Sequence, residues 1–106
     1  MVMSNSEKTV SDYINNLVGD EGSILVIDPS KSSRALLKNF LEKIGAFRYH
    51  VVSNSADAKR MMLTNRIKLF ICEWLMENQN GIQFCREIRN LEQYQSTPFI
   101  LMSGEN

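Results

Sequence analysis

The chain has 106 residues, 43% apolar and 23% charged, a length and balance that support one folded domain with its own core. Twelve basic residues cancel twelve acidic ones, which argues against a large nucleic-acid or anionic-membrane footprint. No apolar run approaches the roughly 20 residues that span a bilayer, and the first residues lack the apolar centre of a signal peptide, so a cytoplasmic protein is expected.

Residues 1–22 stand apart. Val10, Tyr13, Ile14, Leu17 and Val18 fall on one face of a helix, with Ser11, Asp12, Asn15 and Asn16 elsewhere. The pattern predicts an amphipathic helical extension whose apolar stripe must lie against something.

From residue 23 a strand-then-helix rhythm begins. Ile24–Ile27 is a continuous apolar run between Gly22 and Pro29, too short for a helix, and reads as a strand buried on both faces. Ser30 to Ser33 offer helix caps. Leu36, Leu37, Phe40, Leu41 and Ile44 follow at helical spacing, and Gly45 ends the helix. Tyr49–Val52 is a second short strand, carrying His50. Ala56, Ala58, Met61 and Met62 mark a second helix of this region that ends near Asn65, with the methionines read as core filling. Leu69–Cys72 is the third strand, followed by a polar loop from Glu73 to Gly81. Ile82, Phe84, Cys85 and Ile88 mark the next helix, and Pro98–Met102 the fourth strand.

Strands alternating with helices over short connections predict an α/β fold, a three-layer, doubly wound parallel sheet covered by helices on both faces. Ligands and chemistry in such sheets gather at the carboxyl ends of the strands. Asp28, Glu73 and Ser103, each just past a buried strand, are therefore the candidate site. Clustered carboxylates repel one another and favour a nearby cation; Mg²⁺ takes hard oxygen ligands, one or two of them carboxylates, and would serve phosphoryl transfer.

Other features carry less. Cys72 and Cys85 are too few and too far apart for a metal knuckle or a redox pair, and read as reduced structural thiols. The lone His50 makes neither a metal site nor a catalytic pair. Trp74 beside Glu73 reads as a packing residue. Ser30-Lys31-Ser32-Ser33 lacks a preceding glycine-rich cradle, which places a nucleotide-binding flavodoxin-type enzyme last among the functions considered.

Residues 23–106 resemble the first four βα units of a bacterial two-component response-regulator receiver domain of the CheY-like, flavodoxin-like fold. The resemblance rests on Ile24-Leu-Val-Ile-Asp28 with Leu41-Glu-Lys-Ile-Gly45, on Leu69-Phe-Ile-Cys-Glu-Trp-Leu-Met76, on Gly81-Ile-Gln-Phe-Cys-Arg-Glu-Ile-Arg89, and on Pro98-Phe-Ile-Leu-Met-Ser103. It implies a receiver-like domain over residues 23–106 truncated to about four strands, because strand five and its flanking helices would lie beyond Asn106. Receivers present two adjacent acids after strand one; here they are Asp28 and Pro29. The phosphoacceptor aspartate corresponds to Glu73, the proline after the loop methionine to Glu77, and the switch hydroxyl to Ser103. The lysine that ends strand five has no counterpart.

These departures imply a degenerate phosphoacceptor site. One carboxylate fewer weakens charge neutralisation, and a side chain longer by one methylene misplaces the acceptor oxygens, where about 1 Å can cost roughly 100-fold. The expectation is a pseudo-receiver: a signalling module with no catalytic residue and no resident cofactor, whose Glu73 carboxylate reaches toward the volume a phosphoryl group would fill. Its partner would be a signalling protein or an output domain, including one on the same polypeptide, with a homodimer as a further form. Nucleic acid and membrane are not expected as direct partners. The alternative is a working Mg²⁺-dependent phosphoacceptor that holds the metal through Asp28 and Glu73.

Overall fold

The computed structural model describes residues 5–46 and 48–103; residues 1–4, Phe47 and 104–106 lie outside them. The elements run α1 (Asn5–Val18), β1 (Gly22–Ile27), α2 (Lys31–Lys43), β2 (Tyr49–Val52), α3 (Ser55–Thr64), β3 (Arg66–Glu73), α4 (Gly81–Arg89), a 3₁₀ turn (Glu92–Tyr94) and β4 (Phe99–Met102). The four strands form one parallel sheet in the order β2-β1-β3-β4. This is the three-layer, doubly wound parallel architecture of the CheY-like fold.

The apolar residues of β1 and β3 are buried because helices cover both faces, whereas β2 is half-buried and β4, expected to be a buried strand before Ser103, is half-buried to exposed. Alternation along each strand divides the core in two. Leu25, Ile27, Phe70 and Cys72 point to one side, with Ala58 of α3 and Phe84 and Ile88 of α4. Ile24, Val26, Leu69 and Ile71 point to the other, with Leu41 of α2, Ile44 just past its end and Val18 of α1. Side-chain caps set three helix starts: Ser30 accepts from the Ser33 amide, Asn54 from the Asp57 amide, and Asn80 shares a capping box with Gln83. Tyr94, buried under the 3₁₀ turn, accepts a hydrogen bond at 3.4 Å from the Ile67 amide at the start of β3. The sequence pattern gave no sign of this turn.

Helix α1 packs across β1 and β3 on the same side as α2. The expected stripe is rotated, however. Ile14, Leu17 and Val18 meet the core, whereas Val10 and Tyr13 are exposed and Ser11 is buried. Ser11 faces Gly45, where a Cβ would stand at an ordinary contact distance of 3.4 Å from its hydroxyl oxygen. Gly45 itself adopts φ +80°, as a helix-ending glycine does.

Two further helices bury fewer of the marked residues than their spacing predicted. In α2, Leu36 and Phe40 are exposed, while Leu41, half-buried Leu37 and Ile44 just past the helix end carry the contact. In α4, Phe84 and Ile88 are buried, while Ile82 and Cys85 are only half-buried. The reason is the same in both. Each helix seats only the apolar positions that face the sheet, leaving the flanking ones on its shoulders. Strand β3 is longer than its apolar run, beginning at Arg66 and ending with Glu73, so Glu73 closes a strand rather than opening a loop. His50 lies half-buried on β2.

Candidate functional site at the carboxyl ends of β1, β3 and β4

Register brings the three candidate residues side by side. Ile27 pairs with Cys72, so Asp28 and Glu73 are the next residues along adjacent strands; Glu73 pairs with Met102, so Ser103 follows directly on the third strand. The Trp74 amide donates to the Met102 carbonyl at 2.7 Å, tying the ends of β3 and β4 together. Asp28 and Glu73 are buried, Ser103 exposed.

The loop from β1 to α2 is fastened around Asp28. Its Oδ1 accepts the Ser30 amide at 2.9 Å, and its own amide donates to the Val52 carbonyl at 3.0 Å. Arg34, one turn into α2, donates through Nη1 to the Asp28 carbonyl at 2.8 Å and to the Pro29 carbonyl at 2.9 Å. No sequence signal short of the loop path itself marks Arg34 for this role. Burial pushes the Asp28 carboxyl above its ordinary value; the Ser30 amide opposes that shift, the Glu73 charge adds to it, and Arg34 opposes it.

The Glu73 side chain turns back on the chain. Its Oε1 accepts the Trp74 amide at 3.1 Å. Gly81 then returns the β3–α4 loop to the sheet by donating to the Trp74 carbonyl at 2.8 Å. A Cβ on Gly81 would stand 2.5 Å from Leu101 Cδ1 and 2.7 Å from the Glu73 carbonyl oxygen, so glycine is what lets α4 begin against the strand ends. Trp74 and Leu75 project outward, against the expectation that Trp74 packs inside. Cys72, one residue before Glu73, is buried with its thiol pushed up to about 12, chiefly by desolvation, and Cys85 is half-buried; both are free thiols.

Hard oxygen donors at the site come from two carboxylates, those of Asp28 and Glu73, since Pro29 occupies the position next to Asp28. Among the described residues no three His, Cys, Asp or Glu side chains converge as a metal site. No described helix is long and apolar enough to cross a membrane.

Residues 24–106 match the response regulator receiver domain family. The chain belongs to that family. It is 26% identical over 83 residues to a chemotaxis protein CheY homolog of Campylobacter jejuni, an alignment spanning 77% of this chain and 64% of that protein. It is 27% identical over 84 residues to the transcriptional regulatory protein GltR of Pseudomonas aeruginosa, covering 79% of this chain and 34% of the regulator. Among solved structures, the signal receiver domain of a signal transduction histidine kinase from Syntrophus aciditrophicus superposes with a TM-score of 0.71 at 28% identity, over 80% of this chain and 64% of that one. The chain thus spans less than two thirds of the length of the CheY relative. A receiver domain is a signalling module of two-component systems, and that much describes this chain.

The buried Asp28 makes a pH-dependent contribution whose sign follows from its shift. A carboxyl raised in the folded state adds stability below its unfolded value, near 3.8, and that contribution is lost as pH rises through the folded value. Asp28→Asn keeps an oxygen for the Ser30 amide and removes the buried charge. We expect the variant to match the parent at low pH and to become progressively more stable than it toward neutrality, by urea denaturation across the range. A constant difference at every pH would mean that the carboxyl is not desolvated as described.

Proposed function

We propose that this receiver domain acts without phosphorylation, as a cytoplasmic protein-interaction module rather than an enzyme. Its partner on this reading is a signalling protein or output domain, and the chain also associates with itself. The observation that carries the reading is Glu73: the acceptor position implied by the resemblance holds a side chain one methylene too long, with its Oε1 accepting the amide of Trp74. Pro29 in the second acidic position leaves only Asp28 and Glu73 as carboxylates for the Mg²⁺ site of the alternative, and Glu73 Oε1 already accepts the Trp74 amide, so that site is weakened and no step is routed through a metal. Ser103 retains the switch hydroxyl position, which supports descent from a working receiver without restoring the acceptor.

Titration with Mg²⁺ and beryllofluoride tests the proposal, read by fluorescence of Trp74, the only tryptophan and the residue next to Glu73. We expect no saturable change up to millimolar ligand, with circular dichroism showing the fold intact. A saturable signal that needs both ions would establish a functional phosphoacceptor pocket and remove the proposal.

A further inference from the structure

Strand β2 closes the sheet on the side away from β4, and the chain enters it from α2 and leaves it into α3. Among the described residues its only strand partner is β1. The Ile24 amide donates to the Arg48 carbonyl and the Asp28 amide to the Val52 carbonyl, so Arg48, His50 and Val52 turn their backbone groups toward β1. By alternation, Tyr49, Val51 and Ser53 aim their N–H and C=O groups outward. The stretch Tyr49-His-Val-Val-Ser53 holds no proline, lysine or acid of the kind that usually blunts an edge.

The two flanks of this edge differ in chemistry. Helix α2 runs along one: the Tyr49 hydroxyl donates to Glu42 at 2.7 Å, and Arg34 lines a groove of about 350 Å³ with Val51 and Ser53. Lys38 stands one helical turn from each on the same line of α2 and is exposed, so Arg34 and Lys38 follow the edge together. Helix α3 runs along the other flank, where half-buried Val52 and Met61 line the groove. The nearby carboxylates are engaged, Glu42 by Tyr49 and Asp57 by Arg60 and Asn54, whereas Arg34 donates to the neutral carbonyls of Asp28 and Pro29.

We infer that the edge of β2 takes, as an added strand, an extended segment of a partner protein in which acidic and aliphatic residues alternate. The inference names the partner of the interaction module proposed above and rests on that reading. Main-chain groups at strand spacing are satisfied by another strand, and alternate side chains of that strand fall on opposite flanks. Its acidic positions meet Arg34 and Lys38, and its aliphatic positions meet Val52 and Met61. A basic segment would set like charges against the α2 flank. The β2 strand of a second copy of this chain carries no acid, so the charged flank selects a different partner.

Fluorescence anisotropy of a short, blocked, labelled peptide of alternating Glu and Val tests this on the 106-residue chain, beside a counterpart with Lys in place of Glu. The Glu peptide should bind saturably, and the Lys peptide about tenfold more weakly or worse. On binding, the amides of Val51 and Ser53 should gain protection from hydrogen exchange. Lys38→Glu should weaken the Glu peptide about tenfold with an unchanged circular dichroism spectrum, whereas Arg86→Glu, exposed on α4, should not. Val51→Pro removes an outward N–H and no ladder bond, and should abolish binding; if that variant does not fold, Lys38→Glu and the exchange pattern decide. Absent saturable binding of the Glu peptide, or equal binding of both peptides, overturns the inference. Protection that appears elsewhere and spares Val51 and Ser53 overturns β2 as the place. Peptide binding at Val51 and Ser53 alongside a saturable beryllofluoride signal would remove the phosphorylation-free reading and leave the edge assigned.

Discussion

Phe70→Ala should cost about 3–5 kcal/mol of folding stability, enough to leave much of the protein unfolded at 37 °C. Phe70 lies at the centre of β3, wholly buried, between two strands and under two helices. Its ring meets Tyr94 edge-on at 5.4 Å and Phe84 edge-on at 6.3 Å, and stacks with Phe99 at 5.6 Å. Truncation removes these contacts together and leaves a cavity that the flanking strands cannot close, because both are fixed by the sheet ladder. Phe99→Ala, at a half-buried position on β4, should cost appreciably less, since part of its side chain is already in solvent and less apolar area is lost. Chemical denaturation of the two variants checks the order. Equal losses would show that the aromatic cluster is not centred on Phe70.

The same cluster connects the core to the candidate site. Phe70 sits three residues before Glu73, and Phe99 four before Ser103, so the packing that positions the strands also fixes where their carboxyl ends come together. Asp28, Glu73 and Ser103 could be picked out in the sequence because each directly follows a short apolar run, and parallel strands bring such positions to one edge. What the pattern could not supply was the posture of the side chains. That Glu73 accepts its neighbour's amide, and that Arg34 holds the Asp28 and Pro29 carbonyls, depend on loop paths that no periodicity encodes.

The helices show the same division. Their number, order and approximate ends followed from apolar spacing and from the capping residues Ser30 and Gly45. The faces they bury did not, because a helical stripe records what is apolar and not what it meets. For α1, the decisive residues lie outside the helix. Ser11 packs against Gly45, and Arg48 donates to the Gly19 carbonyl at 3.1 Å just past its last turn. Val10 and Tyr13, as apolar as their neighbours, are turned out by that docking.

Gly22→Val should therefore detach α1, with a loss of about 3 kcal/mol. A Cβ at Gly22 would stand 2.3 Å from the Val18 carbonyl oxygen and 2.4 Å from Lys68 Cγ. The lysine side chain can swing away, but the carbonyl belongs to the last residue of α1 and cannot move without lifting the helix end. That movement would break the Arg48 hydrogen bond and uncover Val18, Leu17 and Ile14. Gly19→Ala provides the contrast: φ there is +71°, so an alanine is strained by about 1 kcal/mol, but nothing lies within 4 Å of its Cβ and the docking survives. Hydrogen exchange separates the two effects. In Gly22→Val, amides of residues 9–18 should lose protection while those of β1 and β3 keep theirs; in Gly19→Ala, protection should fall slightly and evenly. If α1 in Gly22→Val stays as protected as in the parent, its contact with the sheet does not depend on the close approach at Gly22.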